Sequence, residues 1–578
     1  MGPPNTMAQS LSLAAALLFS LPTGLAAPEQ AWLGYSGSNL NNRWASSNTL
    51  INSSTIAGAS VHCRIPFPGG ISVAPTVIGN TAYFPAWNGS ITAVDYTTCR
   101  TKWQINVTAL IESFGPPASP MQAALIAAVS RTTPQVDVKN KILYFATFRQ
   151  ALVFAANLDT GQILARIQID THHLAQITQS PSLHLPTNTL YLGVSSSEES
   201  TVSFDPNAGS SNSSEPYTFI GTAVAVRYSI PQKKFTILWT RKTLPEDDQR
   251  PGSPGRWSGA AIWGSQPAID TSRNSVYYAT GNVYSVPDAY LPCTADPTLC
   301  TIPDRVWQNS VIALDLNTGY PKWARHLGPL DSWTVACTIP PINPDLCIGS
   351  PGPDADFAIA PVYVPKSQQS QSPPGGKGKG KGNNPPEKID DLLVIGQKNG
   401  EIHALYASTG QVKWSTKAGP GGQSGGIMWG ISVDNSGRVY FNEANTASTS
   451  WKPGPLPSPG SPDTRPTVAG GAHSAVDLQT GKILWQIPTK ENALASNPPT
   501  VVGDLVVMGW QDYRTFDAGG NMIFKGGLKF MKKGTGEVVK ELDLGEYHLA
   551  GVSVQGRYLV FGTGHHVFFN GSLWVLKV

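Results

Sequence analysis

Short apolar stretches of strand length recur along the chain, each broken by Asp, Thr or Gly. Five segments read close to Ala-x-Asp-x-x-Thr-Gly-x-x-x-Trp: Ala93 to Trp103, Ala313 to Trp323, Ala404 to Trp414, Ala475 to Trp485, and a degenerate Ala225 to Trp239. Two more, Ala155 to Ala165 and Lys529 to Lys540, lack the Trp. Each predicts an apolar strand that runs into a Thr-Gly turn, where Gly accepts positive φ. A second strand leaves the turn with its Trp facing inward, between neighbouring units. Before most of these hairpins lies another strand pair of the type Pro-x-Val/Ile…Val/Leu-Tyr, as in Ala74 to Phe84, Pro181 to Leu192, Pro267 to Tyr278 and Pro499 to Met508.

Four strands per unit, repeating every 55 to 91 residues, predict an all-β chain folded as a β-propeller with long loops. Seven units are visible internally. The terminal Ser572 to Val578 reads as a lone strand that completes an eighth blade with strands from the N-terminal segment. Such closure removes the sheet edges. The expectation is therefore a single eight-bladed propeller of four-stranded antiparallel blades over residues 28–578. A multi-domain β-sandwich would give no reason for one recurring Thr-Gly hairpin.

Composition agrees. The 57 Gly and 48 Pro of 578 residues leave little room for long helices. Forty-one Lys and Arg against 38 Asp and Glu leave +3, which does not point to a nucleic-acid partner. Leu11 to Leu21 is an apolar run of signal-peptide length, followed by small residues at Gly24-Leu25-Ala26, so residues 1–27 read as a cleaved secretory signal. No later stretch is long and apolar enough to span a bilayer, and the mature chain is expected outside the cell. Residues 367–386 are a low-complexity Gly-, Lys- and Pro-rich segment, read as a solvated loop between blades.

Six cysteines fit an oxidising compartment. Among the 15 possible connectivities, the preferred one is Cys63–Cys99, Cys293–Cys300 and Cys337–Cys347. Sequons at Asn52, Asn88, Asn106, Asn212 and Asn570 permit glycosylation. The sequence contains no Cys-x-x-Cys-His haem-attachment motif.

Eight blades with these Trp-type hairpins resemble the pyrroloquinoline-quinone (PQQ) dependent alcohol dehydrogenases. Trp32-Leu-Gly34, Asn41-Asn-Arg43 and Trp263-Gly-Ser-x-Pro-Ala-Ile-Asp270 resemble the polyvinyl-alcohol dehydrogenase-like branch. The resemblance implies PQQ with a Ca²⁺ as Lewis acid, a hard cation that takes carboxylate and amide oxygens. By the same resemblance, Glu198 of Gly193-Val-Ser-Ser-Ser-Glu198 is a metal ligand, with Glu199 as the neighbouring alternative. Asn282 of Tyr278-Ala-Thr-Gly-Asn282 is a second ligand. Trp263 is the platform for the quinone ring, and Arg131 and Lys398 are cations for its acid groups.

Taking a hydroxyl proton as hydride leaves carbon needs a carboxylate beside the metal. In the family it comes from an Asp-x-Trp-Asp-like stretch; here Leu330-Asp331-Ser332-Trp333-Thr334 retains only Asp331, expected as both base and third metal ligand. The loop from Phe114 to Val129 lacks the adjacent cysteines that some family members hold against the quinone. The implied activity is oxidation of a secondary alcohol or polyol, with electrons passing to a separate acceptor. The alternatives are a catalytically altered propeller that binds or scaffolds, and a tailoring oxidoreductase acting on a small secreted metabolite.

Overall fold

The computed structural model describes residues 1–2, 31–205, 208, 216–245, 255–338, 342–369, 390–517, 519–566 and 570–578. The expected signal core, Asn212 and most of the low-complexity segment lie outside these residues. Eight antiparallel sheets succeed one another along the chain. Blades 1 to 7 occupy residues 76–106, 135–168, 182–242, 268–326, 362–417, 432–488 and 500–543. Blade 8 joins Ser553–Gln555, Tyr558–Gly562 and Gly571–Lys577 to a single N-terminal strand, Ser60–Phe67. The terminal strand thus pairs with the N-terminal segment as expected, but it brings two C-terminal strands with it and takes only one from the N-terminus.

The repeat motif explains how a blade is made and joined to the next. Its Asp or Asn caps the turn: Asp315 Oδ1 accepts from the amides of Asn317 and Thr318 at 3.0 and 3.1 Å, and Asp477 does the same for Gln479 and Thr480. The Gly that follows has φ of +67° to +75° in blades 2, 4, 5, 6 and 7. Its missing side chain makes room for the Trp of the preceding blade. A Cβ on Gly410 would stand 2.4 Å from Trp323, and one on Gly481 2.5 Å from Trp414. The same indoles donate across the blade boundary, Trp323 to Ala407 O and Trp414 to Leu478 O, at 3.1 and 2.9 Å.

Around the axis, polar residues of the innermost strands bridge six of the eight blade boundaries. Thr76 donates to Pro134 O, Gln135 to Pro181 O, Ser182 to Pro267 O, Ser432 to Pro499 O and Thr500 to Val552 O, and Ser553 closes the circle onto Pro75 O. The N-terminal segment plugs what remains. Successive carbonyls of Asn39, Leu40, Asn42 and Arg43 accept from Ile269, Tyr363, Val433 and Val501, one in each of blades 4 to 7. Arg43, wholly buried, ties the plug down by donating to Pro499 O, Thr500, Val552 O and Tyr35 O. The Trp32…Arg43 motif is thus a structural one.

All three expected disulfides are present. Among the described residues, no helix is long and apolar enough to cross a membrane. Asn88, Asn106 and Asn570 are exposed and Asn52 is half-buried.

Candidate active site

In every blade the link from the second strand to the third, and the approach to the first strand, emerge on the same face of the ring. Trp87, Phe148, Glu199, Asn282 and Lys398 follow second strands. Arg131, Trp263, Asp354, Asp356 and Trp429 precede first strands. Topology alone therefore gathers side chains from six blades at one end of the axis. Trp263 lies on the approach to the first strand of blade 4.

Its ring is partly exposed and firmly held. The indole N–H donates to Asp356 Oδ2 at 2.8 Å, and Lys398 Nζ lies 5.2 Å from the ring centroid. Lys398 is buried and bound to both Asp354 oxygens at 3.0 and 3.1 Å and to Asp356 Oδ1 at 2.8 Å. Burial opposes its charge, yet Asp354, Asp356 and Glu199 hold its pKa well above the usual lysine range. The lysine is thus already committed to protein carboxylates. A glycine-rich loop packs on its backbone: a Cβ on Gly421 or Gly426 would stand 2.4 or 2.3 Å from Lys398 O.

Around this lysine the acids outnumber it. Burial pushes Glu199 up to about 7, with Lys398 pulling down and Asp356 pushing up. Burial also raises Asp354 well above the carboxylate range, against the pull of Lys398. Asp331 is fully buried; its oxygens accept from Asn309 Nδ2 and Ala355 N at 2.8 and 2.7 Å, and from Asp354 N at 3.2 Å. Burial raises its pKa in spite of those three donors.

Asn282 is buried and donates from Nδ2 to Val283 O and Trp333 O at 3.0 and 2.6 Å. Because both partners are carbonyls, the amide orientation is fixed. Its oxygen has no donor among the described residues.

The two neighbouring glutamates have different surroundings. Glu198 is buried and spends both oxygens on the chain: Oε1 accepts from Thr218 N at 2.8 Å, and Oε2 from Phe219 N at 2.9 Å. Glu199 is the one whose carboxylate couples to Lys398 and Asp356. The segment 217–219 that meets Glu198 is built into the same frame, since Tyr217 OH donates to Leu346 O at 3.0 Å and shares hydrogen bonds with Ser203 and Thr334. Thr334, which stands where the family has an acid, is thereby engaged with Tyr217.

Arg131 forms a second pole. Its guanidinium lies 5.1 to 5.6 Å from the rings of Phe148, Trp87 and Trp429, and Trp429 in turn meets Trp263 edge-on at 5.6 Å. Burial lowers the Arg131 pKa to about 10, partly offset by Tyr35. Among the described residues no carboxylate pairs with it. Of the residues expected from the sequence, Trp263, Lys398, Asn282 and Asp331 meet here. Asp354, Asp356 and Trp429 were not among those expected, although an Asp-x-Asp pair just ahead of a first strand was a visible signal.

The chemistry fits a hard cation. Glu199, Asp354 and Asp356 face one lysine, and Asp331 stands beside the two aspartates, so full ionisation leaves an uncompensated negative charge in a poorly solvated site. Asn282 supplies an unclaimed amide oxygen beside it. Among the described residues, no three carboxylates here come within 4.8 Å of one another, and the His, Cys, Asp and Glu cluster that does, His62 with Cys63 and Cys99, contains a disulfide. An ion in this site would thus take oxygens of mixed type rather than three carboxylates. The partly exposed indole and the unpaired guanidinium suit a flat anionic ring system.

The fold is that of the quinoprotein alcohol dehydrogenases. The chain superposes on a solved europium-containing methanol dehydrogenase with a TM-score of 0.61 and 16% identity, covering 95% of this chain and 98% of that one. It superposes on the quinohemoprotein alcohol dehydrogenase of Comamonas testosteroni with a TM-score of 0.63 and 15% identity, over 95% and 81% of the two chains. In sequence it is similar to the polyvinylalcohol dehydrogenase of Sphingopyxis sp. (strain 113P3), 26% identical over 474 residues. That match covers 80% of this chain and 60% of the relative's length. No protein-family model matches the chain. The sequence similarity supports the quinoprotein superfamily and its polyvinyl-alcohol dehydrogenase-like branch.

Proposed function

We propose that this chain is a secreted quinoprotein-type oxidoreductase that oxidises the hydroxyl carbon of a secondary alcohol or polyol. The observation that supports it best is the joint presence of a partly exposed Trp263, pinned by Asp356, and an acid-rich pole with a free Asn282 oxygen. PQQ would supply a two-electron acceptor there, with Ca²⁺ as its Lewis acid.

In this reading Trp263 is the platform, and its tether to Asp356 fixes the ring plane. Arg131 would meet an acid group of the ring system, because Lys398 is already neutralised. Glu199, Asn282 and Asp331 would hold the cation, with Glu199 in place of Glu198 because it is the Glu199 charge that acts on Lys398 and Asp356. Asp331 receives the hydroxyl proton: burial raises its pKa, which favours proton uptake, while three donors orient it. The electrons leave to a separate acceptor.

Purified protein is titrated with PQQ in the presence and absence of Ca²⁺, with tryptophan fluorescence as the readout. Saturable binding that needs Ca²⁺ and weakens in Trp263→Ala is expected. Asp331→Asn should bind PQQ and fail to oxidise alcohols. A metal-loaded protein with no affinity for PQQ would sink the proposal.

A further inference from the structure

Residues 444–471, between the second and third strands of blade 6, form a long excursion from the ring. The excursion is closed on itself by a reciprocal pair of backbone hydrogen bonds between Trp451 and Val468, both 2.9 Å. It stands beside the outer strand of blade 5, Val412–Lys417, and an open groove of about 710 Å³ lies between them. This groove is on the side of the ring, and none of the candidate active-site residues lines it.

One part of its wall is apolar. Trp451, Pro455, Leu456 and Ile483 line it, and Leu456 is 80% exposed. The Trp451 ring is fixed by its own N–H, which donates to Gly470 O at 2.9 Å. The other part is cationic: Lys417, Lys452, Lys482 and Arg465 line the groove, and no Asp or Glu does. Asp463, outside the lining, takes Arg465 at 2.9 Å and reaches Lys452 at 3.4 Å. Lys417 donates to Asn399 O, and Lys482 has no acidic partner among the described residues. Four cations thus line the groove around a rigid indole and an uncovered leucine; Asp463 meets two of them, and Lys417 stands across the ladder from Glu401.

We infer that this groove is a binding site for a small amphipathic anion, a molecule with an apolar body and one carboxylate, sulfonate or sulfate. An apolar body gains by covering Trp451 and Leu456, whose exposure to water is unfavourable. Its acid group meets the lysines in a lining that contains no carboxylate. The volume lies in the usual range for small-molecule sites, roughly 300–1,000 Å³.

The test uses three probes with one ten-carbon tail, kept below micelle formation: decanesulfonate, neutral decyl glucoside and decyltrimethylammonium. Binding to the full chain is followed by calorimetry and tryptophan fluorescence. The anion should bind at least about tenfold tighter than the glucoside, and the ammonium most weakly. Leu456→Ser, a change at an exposed position, should weaken all three, and Trp451→Ala should weaken them further. Lys482→Glu combined with Lys417→Glu should abolish the preference for the anion without changing glucoside binding. Equal affinity for anion and ammonium overturns the inference. So does anion binding that is unchanged in Leu456→Ser and in the double lysine variant, or binding of acidic peptides with none of the small anion. None of these outcomes depends on PQQ or on alcohol oxidation.

Discussion

Replacing Lys398 by Met keeps the length of the side chain and removes its charge, which exposes the electrostatics of the site to measurement. The ammonium lies 2.8 to 3.1 Å from three oxygens of Asp354 and Asp356, and all three side chains are at most 10% exposed. At an effective dielectric of about 20, unit charges about 3 Å apart attract by roughly 5.5 kcal/mol, much of it offset by the cost of desolvating them. Truncating one member of such a pair costs about 3–5 kcal/mol, because buried charge is left without a partner. That is the loss expected for Lys398→Met at pH 8.

The loss should depend on pH in a definite direction. Asp354 is already raised in the folded state against the pull of Lys398, and without Lys398 it rises further. A carboxyl whose folded pKa exceeds its unfolded value, about 3.9, destabilises the fold progressively as pH rises above that value, by about 1.4 kcal/mol for each pH unit until the folded pKa is passed. Lowering the pH lets Asp354 take up a proton, so the penalty should shrink to about 1–2 kcal/mol at pH 5. Urea denaturation of parent and variant at pH 5, 6.5 and 8, followed by tryptophan fluorescence, measures this. A loss below about 1 kcal/mol at pH 8 would mean that water screens the pair. An equal loss at pH 5 and pH 8 would refute the electrostatic account, leaving only a packing effect.

Two other predictions follow from the same geometry. Gly410→Ala should cost about 2–5 kcal/mol, since it combines a left-handed backbone at φ +69° with a Cβ 2.4 Å from Trp323. Gly79→Ala has φ +54° and nothing within 4 Å, so it should cost only about 1–2 kcal/mol; equal losses in urea melts would show that the Gly–Trp contact is loose. Because Glu199 sits at about 7, a cation must displace its proton at lower pH. Calcium affinity measured by calorimetry should therefore rise up to about tenfold per pH unit as pH approaches 7 and then level off. Glu199→Gln should flatten that slope, and an unchanged slope would place the ion elsewhere.

The propeller was legible because its repeat encodes three physical requirements at once: a carboxylate or amide to cap the turn, a glycine for the left-handed residue, and an indole to fill the space that glycine leaves. The strand-link positions of Asn282 and Lys398 were legible for the same reason, since a repeat fixes which links share a face. Two features were not. Neighbouring side chains at a strand exit diverge, so Glu198 and Glu199 cannot be told apart by spacing. What separates them is that Thr218 and Phe219, twenty and twenty-one residues beyond Glu198, bring their amides to it and leave Glu199 facing Lys398. The charge of the site was hidden likewise. Lys398 read alone is a cation for an acidic ligand; with Asp354 and Asp356 folded against it, the same residue is the counter-ion of an acid-rich pocket. Arg131, which lies against aromatic rings and pairs with no carboxylate among the described residues, is then left as the cation available to an incoming anion. Charge at a propeller's axis is decided by which blade entries meet there, and that meeting is a property of the closed ring rather than of any one repeat.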